Sequence, residues 1–128
     1  MCRFTNDVIE IPPQGGVFPY SSRGQPRAGR GRCGGGGPQA VAVLTINRVS
    51  AVTFFTQAIG YDTLIHLRTR CDDPNSEIAC NDDWAGLASR ILVPRMQPGT
   101  YFLMLDGYLG ESGAATLQVI VQEVGDPL

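Results

Sequence analysis

Thr100–Asp106 (TYFLMLD) and Thr116–Glu123 (TLQVIVQE) are two apolar runs separated by Gly107–Gly113 (GYLGESG), and their reading decides the fold. Each run is too short for a typical helix and rich in the branched and aromatic residues that suit a pleated surface. Successive side chains of a strand point to opposite faces. Tyr101, Leu103 and Leu105 therefore share one face, and Phe102 and Met104 the other. In the second run Val119 and Val121 oppose Gln118, Ile120 and Gln122. The glycines between the runs supply a turn, so the segment reads as strand, turn, strand.

The same pattern recurs upstream in Val8–Ile11, Val41–Ile46, Ala51–Gln57, Thr63–Arg68 and Arg90–Val93. Asn, Asp, Gly and Pro punctuate the gaps. About seven short strands at such spacing, with no sustained helical period, indicate a β-sandwich or barrel. The 128 residues form one domain, with 1–38 an N-terminal strand and loop and 39–128 the sandwich core. Charged residues make up 17%, while Gly (16) and Pro (9) are plentiful, which favours strands and turns. Ser21–Pro38 carries Arg23, Arg27, Arg30 and Arg32 and ends in Gly34–Gly37. With so few apolar residues it is expected as a surface loop. It lacks the Gly-Lys-Ser/Thr of a phosphate-binding loop and no helix follows it, so phosphate binding is not expected.

A formal charge of −2 excludes the basic surface that nucleic acid requires. No run of about 18 apolar residues is present, so no membrane-spanning helix is expected. No cationic start with an apolar stretch marks a secretion signal, which is expected to have been removed or to belong to a longer precursor. The four cysteines, Cys2, Cys33, Cys71 and Cys80, allow three pairings. Without a C-x-x-C pair, and with His66 as the single histidine, they suit structural disulfides in an oxidising compartment better than zinc. A secreted or cell-surface location follows.

From Gly60 the chain resembles a known family. Gly60–Arg68 (GYDTLIHLR) leads through Cys71 to Glu77–Asp83 (EIACNDD), then Ser89-Arg90, Pro98–Phe102 (PGTYF) and Asp106–Tyr108 (DGY). Cys33 with Gly34–Pro38 precedes them. This order is similar to bacterial pre-peptidase C-terminal domains. The resemblance implies a jelly-roll-like antiparallel β-sandwich of about seven to nine strands. It further implies a non-catalytic module of an exported protein that often binds calcium.

Calcium takes about six to eight oxygen ligands. Cys71–Asp83 concentrates them, and a Cys71–Cys80 bridge would hold that loop together, leaving Cys2 to pair with Cys33. The expected ligands are Asp62, Asn81, Asp82 and Asp83, with Asp72 and Asp106 behind them. The spacing is not that of an EF-hand. Adjacent Asp82 and Asp83 on one loop do not suit a glycosidase pair, and His66, alternating with Ile65 and Leu67, is expected to face solvent. No enzyme is expected.

If Leu44, Ile46, Val52, Phe54, Ile91 and Val93 face the core, then Val43, Phe55, Leu92, Phe102, Met104 and Ile120 face outward. A contiguous outer patch of these would be an interaction face. The first expectation is thus a calcium-stabilised extracellular structural module that self-associates or meets another extracellular protein. The alternative is an accessory binding domain of a secreted hydrolase for protein or carbohydrate, using Trp84 and Tyr108. The N-terminal strand pairs in its own domain or completes a neighbour's sheet.

Overall fold

The computed structural model describes residues 8–82 and 86–124. The strands are β1 (Val8–Ile11), β2 (Gly15–Ser21), β3 (Arg30–Gly31), β4 (Gly34–Gly35), β5 (Ala40–Ile46), β6 (Ser50–Gln57), β7 (Thr63–Arg68), β8 (Glu77–Asn81), β9 (Ser89–Met96), β10 (Gly99–Gly107) and β11 (Ala114–Glu123). A five-stranded sheet runs in the order β1-β5-β10-β7-β8, and a four-stranded sheet in the order β2-β11-β6-β9. β3 and β4 form a small separate ribbon. The all-β sandwich expected from the sequence is present. One pair departs from the antiparallel rule, because β1 lies parallel to β5.

Inward-facing side chains of the two sheets make one core that includes Leu44, Val52, Phe54, Leu103, Leu105 and Leu117. Alternation assigns these correctly on every strand that the sequence revealed. Facing layers of branched side chains bury both inner surfaces at once, which is the main favourable term in such a fold. At one end the sheets are also joined by hydroxyls. Thr56 of β6 donates to Thr63 of β7 at 3.0 Å, and Thr63 shares a 3.0 Å bond with Ser89 of β9. These polar groups are buried, so partners are needed to offset their lost hydration.

The sequence understates the structure between residues 22 and 39. This segment is ordered and lies as a strap over part of the outer face of the five-stranded sheet. It brings almost no apolar surface; instead its backbone is held by side chains rising from the sheet. Arg32 N–H donates to both carboxylate oxygens of Glu77 at 3.2 Å, and Gly36 and Gly37 N–H donate to Asp106 at 2.8 and 3.2 Å. Glycine is required for the close approach. A Cβ on Gly35, whose φ is 91°, would collide with the Asp106 carboxylate, and one on Gly31 would lie 2.7 Å from Cys80 Sγ.

Three expectations are corrected by this strap. The disulfide joins Cys33 to Cys80, stitching the strap to β8, so the proposed Cys71–Cys80 and Cys2–Cys33 pairs do not form. Cys71 is disulfide-bonded as well, and Cys2 lies outside the described residues. His66 is not at the surface but fully buried beneath the strap. Met104 is likewise removed from the outer face: it is fully buried with Val41 and Cys71 in a second small cluster. Alternation placed both side chains on the right side of their strands. A third layer covers that side.

Candidate functional site

Among the described residues no segment covers the outer face of the four-stranded sheet, and its strands align the outward residues in rows. Ile120 of β11 pairs with Thr53 of β6, which pairs with Leu92 of β9. In the next row Val17 of β2, Gln118, Phe55 and Arg90 follow one another across all four strands. Pro19, Thr116 and Gln57 form a third row, and Gln122 with Ala51 a fourth. Val17, Leu92 and Ile120 are 61%, 48% and 46% exposed. Across these four rows Arg90 is the single charged side chain. Depletion of charge around a few apolar side chains is the composition of an interface centre.

Of the six residues expected on an interaction face, Phe55, Leu92 and Ile120 come together here. Val43 and Phe102 instead pair with each other on the outer face of the five-stranded sheet, both half-buried. Val17 completes the patch and was missed. Its strand hides in GGVFPYS, where the leading glycines and the proline read as a turn. The alternation Val17, Pro19 against Phe18, Tyr20 was the signal that could have found it.

The second notable group lies under the strap. His66 sits between two carboxylates, with Nε2 3.3 Å from Asp106 and Nδ1 3.6 Å from Glu77. Asp106 also accepts from Gln39 Nε2 at 2.9 Å and from Gly107 N–H at 2.8 Å. Arg68 is equally buried and donates to the carbonyls of Cys71 and Ala28 at 2.8 and 2.9 Å. Burial lowers the Arg68 pKa, while Glu77, Asp106, Asp73 and Asp72 push it back up. A carboxylate surrounded by this many donors anchors backbone rather than meeting a substrate. The group is a structural pin between strap and sheet.

The expected calcium ligands fall in different places. Asp106 belongs to the pin, and Asp72 sits exposed after Cys71 at the far end of β7. Asp62, Asn81 and Asp82 share the opposite end, because β7 starts just after Asp62 and Asn81 pairs with Ile65. Asn81 Oδ1 accepts from Arg90 N–H at 3.1 Å. Asp83 lies outside the described residues. Among the described residues no three His, Cys, Asp or Glu side chains gather to hold a metal ion.

At that same end an open groove of about 460 Å³ is lined by Arg23, Gln57, Ile59, Tyr61 and Gly113 among others. Ile59 stands on its lip, 98% exposed. Tyr61 is buried against Gly113. Burial raises the pKa of neighbouring Tyr20 well above the ordinary phenol value, and Tyr61 raises it further. Tyr108 is partly exposed on the adjoining turn, where its N–H donates to Asp62 C=O at 2.9 Å. Trp84 lies outside the described residues.

With strand order, strap and outer face defined, comparison with solved structures is informative. The pre-peptidase C-terminal domain of a Bacillus anthracis collagenase superposes with a TM-score of 0.62 over 88% of this chain and 92% of that one. The fold is that of a pre-peptidase C-terminal domain. Sequence identity is 15%, so the likeness concerns the fold alone. The Aeromonas hydrophila periplasmic inhibitor of g-type lysozyme is also similar, with a TM-score of 0.54, 13% identity and coverage of 91% of this chain and 98% of that one. No family model and no curated protein matches the sequence. The structural likeness agrees with the resemblance read from GYDTLIHLR and PGTYF.

Proposed function

We propose that this chain is a non-catalytic structural module of the cell exterior or periplasm that self-associates through the outer face of its four-stranded sheet. The observation that carries the reading is the nearly uncharged surface of Val17, Phe55, Leu92 and Ile120 on adjacent strands. With Arg90 as the single charge in these rows, the face can meet a copy of itself with little like-charge repulsion, and sheets pack well face to face. The bonded cysteines support an oxidising compartment. Sedimentation of the purified chain across a concentration series tests it. Concentration-dependent growth supports self-association, and a clean monomer throughout ends it.

Calcium enters this reading at the end that Asp62, Asn81 and Asp82 share; Asp72 and Asp106 lie elsewhere and take no part. Titration of calcium into chelator-stripped protein is expected to raise the melting temperature. An unchanged value at millimolar calcium removes the metal from the proposal.

The groove beside Ile59 and Arg23 favours a second reading, an accessory domain that holds a protein or carbohydrate ligand there. The two structural neighbours are a domain of a collagenase and a lysozyme inhibitor, both fitting a supporting rather than catalytic role. A monomer that co-sediments with a protein or polysaccharide, and loses it on Ile59→Asp substitution, would put this reading first.

A further inference from the structure

We infer that the strap of residues 22–39 is a redox-controlled cover, latched by the Cys33–Cys80 disulfide and able to lift from a sandwich that stays folded. The surface beneath it has the character of a core: Val41, Leu64 and Met104 are fully buried there, with Phe102 half-buried at the margin. The cover itself contributes only Ala28 to that apolar cluster. Among the described residues, what grips it is mainly polar or covalent. Glu77 and Asp106 grip its backbone amides, Asp106 also accepts from its Gln39 side chain, Arg68 grips the carbonyl of Ala28, and one sulfur–sulfur bond closes the latch. A segment that buries so little apolar surface of its own is locally weak, because hydrophobic burial is what makes opening costly.

The latch also lies near the surface. Cys33 and Cys80 are both partly exposed, whereas Cys71 is buried. Thiol–disulfide exchange needs a thiolate to reach a sulfur in line, and a partly exposed cystine gives it that approach. In the opening reaction a dithiol reductant breaks the Cys33–Cys80 bond by way of a mixed disulfide. Both cysteines leave as thiols, and the reductant leaves as its own cyclic disulfide. In a reducing compartment the strap stands open, and oxidation outside it closes the cover over Val41 and Met104. The device is independent of the outer face of the other sheet.

The strap carries its own reporter, since Arg23, Arg27, Arg30 and Arg32 are cleavage sites for trypsin. The experiment compares tryptic cleavage of the native chain, the native chain under graded dithiol, and a Cys33→Ser/Cys80→Ser variant that retains the bond at Cys71. Opening predicts cuts within residues 27–32 that are at least about tenfold faster in the variant and under mild dithiol, while Arg90 in β9 stays uncut. An apolar dye should bind in step as Val41 and Met104 are uncovered, and reoxidation of the native chain should reverse both signals. Equal cleavage rates with and without the bond overturn the proposal. So does simultaneous cutting at Arg90, which would show that losing the latch unfolds the whole sandwich.

Discussion

Asp106 shows how one side chain can organise a layer. Its two oxygens accept hydrogen bonds from the backbone amides of Gly36, Gly37 and Gly107 and from Gln39, and His66 stands within 3.3 Å. Asp106→Asn keeps the shape but turns an NH₂ group toward N–H donors. Loss of one partner of buried hydrogen-bonded charges typically costs about 3–5 kcal/mol, and this variant should fall toward the lower part of that range. Urea denaturation measures it; a loss under about 1 kcal/mol would mean that the strap does not depend on this carboxylate. Tyr20 gives a pH test. Its folded pKa lies above the unfolded value of 10.0, so the folded state holds the phenolic proton more tightly. Its contribution is complete below that unfolded value, falls as pH rises beyond it and is gone above the folded value. Tyr20→Phe should flatten the loss of melting temperature above pH 10, and an equally steep alkaline limb would show that Tyr20 is not its source.

At the scale of elements, most strands were legible, and what was misjudged was which outward side chains a further layer covers. Leu44, Val52, Phe54 and Val119 occupy the core that alternation assigned to them. β7 is buried at all six positions, yet its pattern TLIHLR still alternates. His66 looked solvent-facing because polar contacts rather than apolar ones cover it, and Arg68 beside it is covered in the same way. β8 was absorbed into an acidic turn since Glu77–Asn81 is short and polar, and no spacing rule could reveal that Cys80 reaches back to Cys33. The candidate patch was half-legible for the same reason: Phe55, Leu92 and Ile120 followed from alternation, but which sheet faces stay open is a tertiary property. β10 and β11 offer the direct comparison. Met104→Ala should cost about 2–5 kcal/mol, as for other buried methionines, whereas Ile120→Ala should leave the stability of the monomer within about 0.5 kcal/mol. Equal losses in thermal or urea denaturation would contradict the difference in covering between the two outer faces.

For the molecule as a whole, the two outer faces are treated in opposite ways. One carries the strap, pinned by buried charges, while the other stays bare and almost uncharged. The nature of the bare face fixes how association through it must respond to salt. Contacts between exposed charges weaken as ionic strength rises, because the Debye length shrinks from about 10 Å at 0.1 M to about 3 Å at 1 M. Apolar contact is not screened in this way, and sulfate or phosphate strengthens it. Association through Val17, Phe55, Leu92 and Ile120 should therefore change by less than about threefold between 0.05 and 0.5 M sodium chloride, and should tighten in sulfate. Ile120→Lys should weaken it by tenfold or more, since each copy would bury a charge against its partner, at about 1.4 kcal/mol per factor of ten. The substitution lies on an exposed side chain, so the monomer keeps its melting temperature. Sedimentation equilibrium reads both effects. A salt-sensitive association that ignores Ile120→Lys would transfer the contact to the charged strap side, with its arginines at Arg23, Arg27, Arg30 and Arg32.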